Sequence, residues 1–440
     1  QGSRYPHHVK NERRQFYVET LGCPKNQVDS DKIIGTLLAD GYVATSEVGD
    51  ADLVVVNTCA FIDQARQESV EVILALESQR RQGAQLVVTG CMAERYGSEI
   101  TDAIPEVDLV AGFGVSVVPP SSKKRIPVSS TPVPTMDLLN LPRPKSSLPW
   151  AYVKIAEGCD RQCGFCAIPS FRGPQRSRDI ASIQHEVAEL GVQEIVLVAQ
   201  DLASYGKDRP SELGAGSIVP LVRSIAAEVE RVRLLYLYPS DLSDELIDVM
   251  ISSGMPYFDL SLQHVSKPLL RRMRRWGDGE RFLKRIADIR NREPEAAFRS
   301  NFIVGYPGET EEDHDQLLAF VESAQLDWCG FFPYSPEEGT YAVGLDGQVD
   351  PALARERLSE LTEMQDRITA SRRDALIGRR INVLVDGPGE ARSHREAPEI
   401  DGVIEVPVDL EQGRFYDVIV TEATGPDLVA AIVEPLAGHV

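Results

Sequence analysis

Three short apolar runs near the start of the chain, FYVETLG, ADLVVVNTC and AQLVVTGC, each lead into a cysteine: Cys23, Cys59 and Cys91. A helix-compatible stretch follows each one: NQVDSDKIIGTLLADG, FIDQARQESVEVILALESQR and MAERYGSEI. Short β-branched runs bounded by polar residues read as buried strands. Strands that alternate with helices are joined by crossovers, which makes their sheet parallel. The pattern predicts a doubly wound parallel α/β sheet over residues 15–118. All three cysteines then fall at carboxyl ends of strands, just before a helix. That edge of an open parallel sheet binds ligands, and helix N-termini favour the thiolate. One buried cysteine is ordinary packing; three in equivalent positions read as converging ligands.

Residues 119–149 are rich in Pro, Ser and Lys without a sustained period and read as a linker. From residue 150 to 376 the alternation resumes. AYVKI, EIVLVAQ, RLLYLY, YFDLSL, FRSNFIVG and CGFFPY are candidate strands separated by helical patterns. Six such units predict a (β/α)6 partial TIM barrel with its functional residues at the carboxyl ends of the strands. Residues 377–440 change character, to short β-type runs between Gly, Asp and Pro, which fits a small antiparallel β-barrel of about five strands.

The stretch EGCDRQCGFCAIP puts Cys159, Cys163 and Cys166 in one loop, directly after the first barrel strand. Thiolates bind soft metals and iron–sulfur clusters. A cubane offers four irons, so three cysteines leave one iron open to a substrate. Zinc is the alternative, although zinc sites are usually built from two close pairs, and no second pair follows. Cys329, in apolar DWCGFFPY, reads as a small buried hydrophobe.

The C-x3-C-x2-C loop on a (β/α)6 block resembles the radical S-adenosylmethionine (SAM) enzymes. Together, ETLGCPKNQVDSD, VVNTCAFI, VVTGCMAERY, KIAEGCDRQCGFCAIP and FIVGYPGET resemble the methylthiotransferases within that group. The last domain is similar to the one called TRAM, an OB-like barrel. The resemblance implies two 4Fe-4S clusters. One, on Cys159, Cys163 and Cys166, cleaves SAM to a radical; the other, on Cys23, Cys59 and Cys91, presents sulfur, so that a C–H bond becomes C–S–CH3. A second SAM supplies the methyl group. The resemblance also implies a one-electron reductant such as flavodoxin or ferredoxin, and a sulfur donor. Phe165 matches an aromatic residue beside the cofactor, and Gln200 and Asp201 match residues at the mouth of its site. Arg299 is a candidate for the SAM carboxylate, which a guanidinium can hold bidentately, or for a structural salt bridge. His264 is a candidate substrate contact or a structural histidine.

The family divides by substrate. Leu262-Gln263-His264, Arg299 and REAPEIDGVIEV resemble the branch that modifies an aspartate β-carbon in a small-subunit ribosomal protein. The alternatives are the branch that modifies an adenosine derivative in tRNA, and a non-catalytic iron–sulfur or zinc protein. Charge bears on the choice. The chain carries a formal net charge of −21, which repels nucleic-acid backbone and suits a basic partner or a solvated surface. From Leu376 onward twelve acidic residues face five arginines, so an acidic TRAM-like barrel complements a basic ribosomal protein. RRMRRWGDGERFLKR runs the other way and fits either ribosomal RNA contact or a solvated helix face. No apolar run approaches the roughly 18 residues a membrane span needs. No secretory leader is recognisable and the opening QGSRYPHH reads as polar and disordered, so the expected compartment is the cytoplasm, with thiols reduced or ligating.

Overall fold

A computed structural model describes residues 14–118, 137–209 and 217–433. The opening octapeptide and residues 119–136 of the expected linker lie outside the described residues. The chain forms two compact units, Gln1–Pro144 and Lys145–Val440.

In the first unit the three expected strands are Gln15–Thr20, Leu53–Thr58 and Gln85–Gly90. Two short edge strands, Val43–Ala44 and Leu109–Ala111, complete a five-stranded parallel sheet. Its order is 43–44, 15–20, 53–58, 85–90, 109–111. Helices Pro24–Ala39, Asp63–Gln79 and Cys91–Ala103 supply the crossovers. Every residue of Leu53–Thr58 is buried, as a strand covered on both faces must be. The strand order reverses between Gln15–Thr20 and Leu53–Thr58, and such a switch point opens a crevice at the carboxyl edge.

In the second unit six parallel strands follow one another in sequence order: Trp150–Lys154, Glu194–Val198, Arg231–Leu234, Tyr257–Gln263, Ala297–Val304 and Trp328–Pro333. They pair in two groups of three, joined by a single bridge between Leu237 and Leu260. The third strand ends earlier than RLLYLY predicts. Tyr236 turns into the left-handed region (φ 62°) and gives its N–H to Asp259 Oδ2 at 3.0 Å, which interrupts the ladder. The first and sixth strands do not pair, so the barrel is partial.

The C-terminal strands Arg380–Gly387, Glu390–Arg392, Ile404–Glu405, Phe415–Thr424 and Asp427–Ile432 close into a five-stranded barrel. The expectation of an antiparallel barrel needs one correction: Ile404–Glu405 and Asp427–Ile432 run parallel. An odd number of strands in a closed ring cannot alternate direction throughout.

The segment Arg392–Asp401 leaves this small barrel and lines the amino-terminal face of the six strands, touching each of them. Tyr152 Oη donates to the Pro398 carbonyl at 3.1 Å, and Arg392 pairs with Glu194 at 3.2 Å. Arg233 donates to the His394 carbonyl at 2.9 Å, and Tyr257 Oη to Asp401 at 2.6 Å. Arg299 pairs with Asp401 at 3.4 Å, and Trp328 Nε1 donates to the Arg395 carbonyl at 2.6 Å.

Two candidate cysteine sites

In the first unit, Cys23 caps the helix Pro24–Ala39 and Cys91 opens the helix Cys91–Ala103. Cys59 departs from that pattern, because its helix begins only at Asp63. It is held instead by Ser69, whose hydroxyl accepts the Cys59 N–H at 3.2 Å and donates to the Cys59 carbonyl at 3.1 Å. The loops of Cys23 and Cys59 meet: a Cβ on Gly22 would sit 2.8 Å from the Cys59 sulfur. Gly22 also has φ 94°, so this approach requires glycine.

Asn26 ties all three loops together, and nothing in the spacing of the cysteines announces it. Its Nδ2 donates to the Leu21 carbonyl at 2.8 Å and the Thr58 carbonyl at 3.1 Å. Its Oδ1 accepts from the Cys91 thiol at 3.6 Å. Asn57 Nδ2 in turn donates to the Asn26 carbonyl at 2.9 Å.

In the second unit, the cysteine loop leaves the first strand at the carboxyl face. Gly158 precedes it at φ 82°, with the Gly173 carbonyl 2.6 Å from where a Cβ would lie. Cys159 N–H donates to that carbonyl at 3.0 Å, and Gly164 N–H to the Met273 carbonyl at 2.8 Å. Burial pushes the Cys159 thiol up to about 11 and the Cys166 thiol up to about 12. A metal must therefore displace protons from both.

Charged side chains brace this loop. Glu157 faces Lys154 at 2.6 Å and Arg172 at 3.1 Å. Burial works against its carboxylate, but the two cations outweigh that and hold it well below the ordinary range. Gln200 bridges Glu157 (2.8 Å from Nε2) and the Gly158 N–H (3.1 Å to Oε1). Asp201 accepts from Arg161 Nε at 2.6 Å, and Arg161 also pairs with Asp241. Gln200 and Asp201 are thus each bonded to the cysteine loop itself. Phe165 packs against the barrel core. Tyr238 lies between two guanidiniums, Arg161 at 3.9 Å and Arg275 at 4.0 Å from its ring centre. Arg275 donates to the Cys163 sulfur at 3.4 Å. Within the string RRMRRWGDGERFLKR, Arg275 reaches the cysteine loop, while Arg271, Arg274, Arg281 and Lys284 are exposed.

Two candidates lie elsewhere. Arg299 occupies the amino-terminal half of its strand, on the face opposite the cysteine loop, where Asp259 (3.3 Å) and Asp401 (3.4 Å) pair with it. Of the two readings of Arg299, the salt bridge is the one its carboxylate partners support. His264 is fully buried, and its Nδ1 accepts the Ser266 N–H at 3.1 Å. Burial pushes it down to about 4, which favours the neutral ring. Cys329, read from the sequence as buried, is half-buried and packs against the barrel core.

Among the described residues, no three His, Cys, Asp or Glu side chains converge on a point that could hold one metal ion. Three thiols in one loop, with a cation directed at one sulfur, fit the cluster.

Fold and cysteine loop define a radical SAM enzyme, and the N-terminal cysteine site with the closing small barrel makes it one of methylthiotransferase architecture. Family models agree: Uncharacterized protein family UPF0004 over residues 15–112, Radical SAM superfamily over 153–321 and TRAM domain over 377–433. Among curated proteins, "Ribosomal protein uS12 methylthiotransferase RimO" of Moorella thermoacetica is 42% identical, over 89% of this chain and 93% of that protein. The protein of the same name from Myxococcus xanthus is 41% identical over 96% and 92% respectively. That of Thermotoga sp. is 40% identical over 94% and 99%. The chain belongs to the ribosomal protein uS12 methylthiotransferase family.

Proposed function

We infer that the chain methylthiolates the β-carbon of an aspartate in ribosomal protein uS12. The observation that carries this reading is the pair of three-cysteine sites, one on each unit. When bound, two 4Fe-4S clusters would supply the chemistry, one the electron for cleaving SAM and the other the sulfur.

The chain's own residues hold and orient these groups. Cys159, Cys163 and Cys166 ligate the radical cluster, and Cys23, Cys59 and Cys91 the second. Glu157 and Gln200 fix the start of the first loop through Gly158. Asp201 orients Arg161 within that loop. Phe165 packs beside the cofactor. Domain limits of 15–118, 150–376 and 377–440 fit these roles.

The exposed acids of the small barrel supply the complement to a basic protein substrate. All five of its arginines face carboxylates: Arg379 and Arg395 face Glu295, Arg380 Asp417, Arg392 Asp386 and Arg414 Glu411. Three of its acids, Asp386, Glu396 and Asp401, are themselves engaged inward. Glu390, Glu405, Asp409 and Glu422 remain exposed. The partners are a flavodoxin- or ferredoxin-type one-electron donor and a sulfur donor. Among the described residues no helix is long and apolar enough to cross a membrane. A ribosomal-protein substrate supports a cytoplasmic setting.

The test has two parts. Cys159→Ala, Cys163→Ala and Cys166→Ala combined, reconstituted anaerobically, should form no deoxyadenosine. Mass spectrometry of uS12 and of tRNA after incubation with the unaltered chain should find methylthio groups on uS12. Methylthiolated adenosine with unmodified uS12 would refute the reading.

A further inference from the structure

Arg161 and Arg275 stack on opposite faces of Tyr238, but their charges are treated differently. Arg161 is neutralised by two carboxylates, Asp201 at 2.6 Å and Asp241. Arg275 is half-buried, and among the described residues it forms no ion pair. Its two terminal nitrogens donate to the Ser261 carbonyl and to the Cys163 sulfur, the latter at 3.4 Å, and its Nε is buried without a partner. A cation held partly out of water without an anion is unfavourable. Its bonding directs it at a cysteine loop that becomes anionic when it ligates iron.

Resting on the reading of Cys159, Cys163 and Cys166 as cluster ligands, we propose that Arg275 is the counter-charge of the radical cluster and raises its reduction potential. One electron from the flavodoxin- or ferredoxin-type donor oxidises that donor and adds one negative charge to the cluster. A fixed cation and an N–H···S bond both favour the more negative, reduced form. Tyr238 holds the guanidinium in place through its ring face. The neutral Ser261 carbonyl leaves the charge uncancelled.

The experiment uses the full chain with Cys23, Cys59 and Cys91 replaced by Ala, so that only the radical cluster is present. Iron content is measured first. A chain that takes up no iron here refutes the reading of the site, before Arg275 is tested at all. Arg275→Met, Arg275→Gln and Arg275→Lys are then titrated with dithionite under redox mediators and followed by EPR. The Met variant should be about tenfold less reduced at a fixed potential, a shift of about −59 mV for one electron. Gln, which keeps an N–H donor without charge, should fall between Met and the original. Lys, which keeps the charge, should stay within a few-fold of the original. Should the Met variant fail to load iron, the Gln and Lys variants decide the matter. Equal potentials in the loaded variants, with weakened SAM binding, would overturn the proposal and make Arg275 a cosubstrate contact.

Discussion

Arg299 Nε lies 3.4 Å from Asp401 Oδ1, a buried ion pair that fastens the fifth barrel strand to the C-terminal domain. Arg299→Met leaves Asp401 and Asp259 without their shared cation. Breaking one side of a buried pair costs about 3–5 kcal/mol. Urea unfolding of the cluster-free chain should show a loss of that order. Deoxyadenosine formed per loaded cluster should be unchanged, because the pair sits on the face opposite the cysteine loop. A large fall in that turnover at normal cluster content would place Arg299 at the cofactor after all.

Two carboxylates at the same interface titrate in opposite senses. Burial pushes Asp401 up from 3.8 to about 6, against the pull of Arg299. The folded chain then binds this proton more tightly than the unfolded one. Its contribution to stability is present at low pH and is lost as pH rises from about 4 to about 6. Glu396 is buried too, but Arg373 and Ser393 outweigh burial and lower it from 4.5 to about 2. Its contribution is present above pH 4.5 and is lost as pH falls toward 2. Asp401→Asn should remove the first slope from a stability-versus-pH curve and Glu396→Gln the second. Each variant should leave the other's slope in place.

Asn26→Ala removes the side chain that joins the three loops of the first unit. The chain should then retain about four irons instead of about eight. Deoxyadenosine should still form, while methylthiolated uS12 should disappear. Iron analysis beside both product assays separates this outcome from general misfolding. Full iron content in the variant would show that the loops hold without Asn26.

Gln200→Leu keeps the approximate volume but leaves the Gly158 N–H and Glu157 without their bridge. Leaving these partly buried groups without their partner costs at most about 1–3 kcal/mol. Iron loss from the radical cluster under a chelator should be faster than in the unaltered chain. If the rate is unchanged, Gln200 is not holding the loop.

Strands such as Leu53–Thr58, Trp150–Lys154 and Glu194–Val198 were legible because parallel strands buried along their whole length are written as largely apolar runs. Val43–Ala44 and Leu109–Ala111 are too short to carry a period. The cysteines stood out by chemistry and position. Asn26, Glu157, Arg161 and Arg275 did not, since polar residues are common and several of their partners lie far away in sequence: Arg275 meets Cys163 across more than a hundred residues. Arg299 is a further case: its partner Asp401 lies in another domain, and no local pattern connects the two.

The six strands make an unclosed wall, and Arg392–Asp401 reaches every one of them from below. It works as a hoop around staves that do not meet. Cutting the chain before the small barrel, as one would to test substrate docking, also cuts the hoop. The seam between Trp150–Lys154 and Trp328–Pro333 would then be free to spread, and the cysteine loop hangs from the top of the first stave. A truncated protein that loses deoxyadenosine formation has therefore not been shown to need its substrate-docking domain for chemistry. Substitutions at Glu390, Glu405, Asp409 and Glu422, which leave the hoop whole, are the cleaner way to separate docking from catalysis.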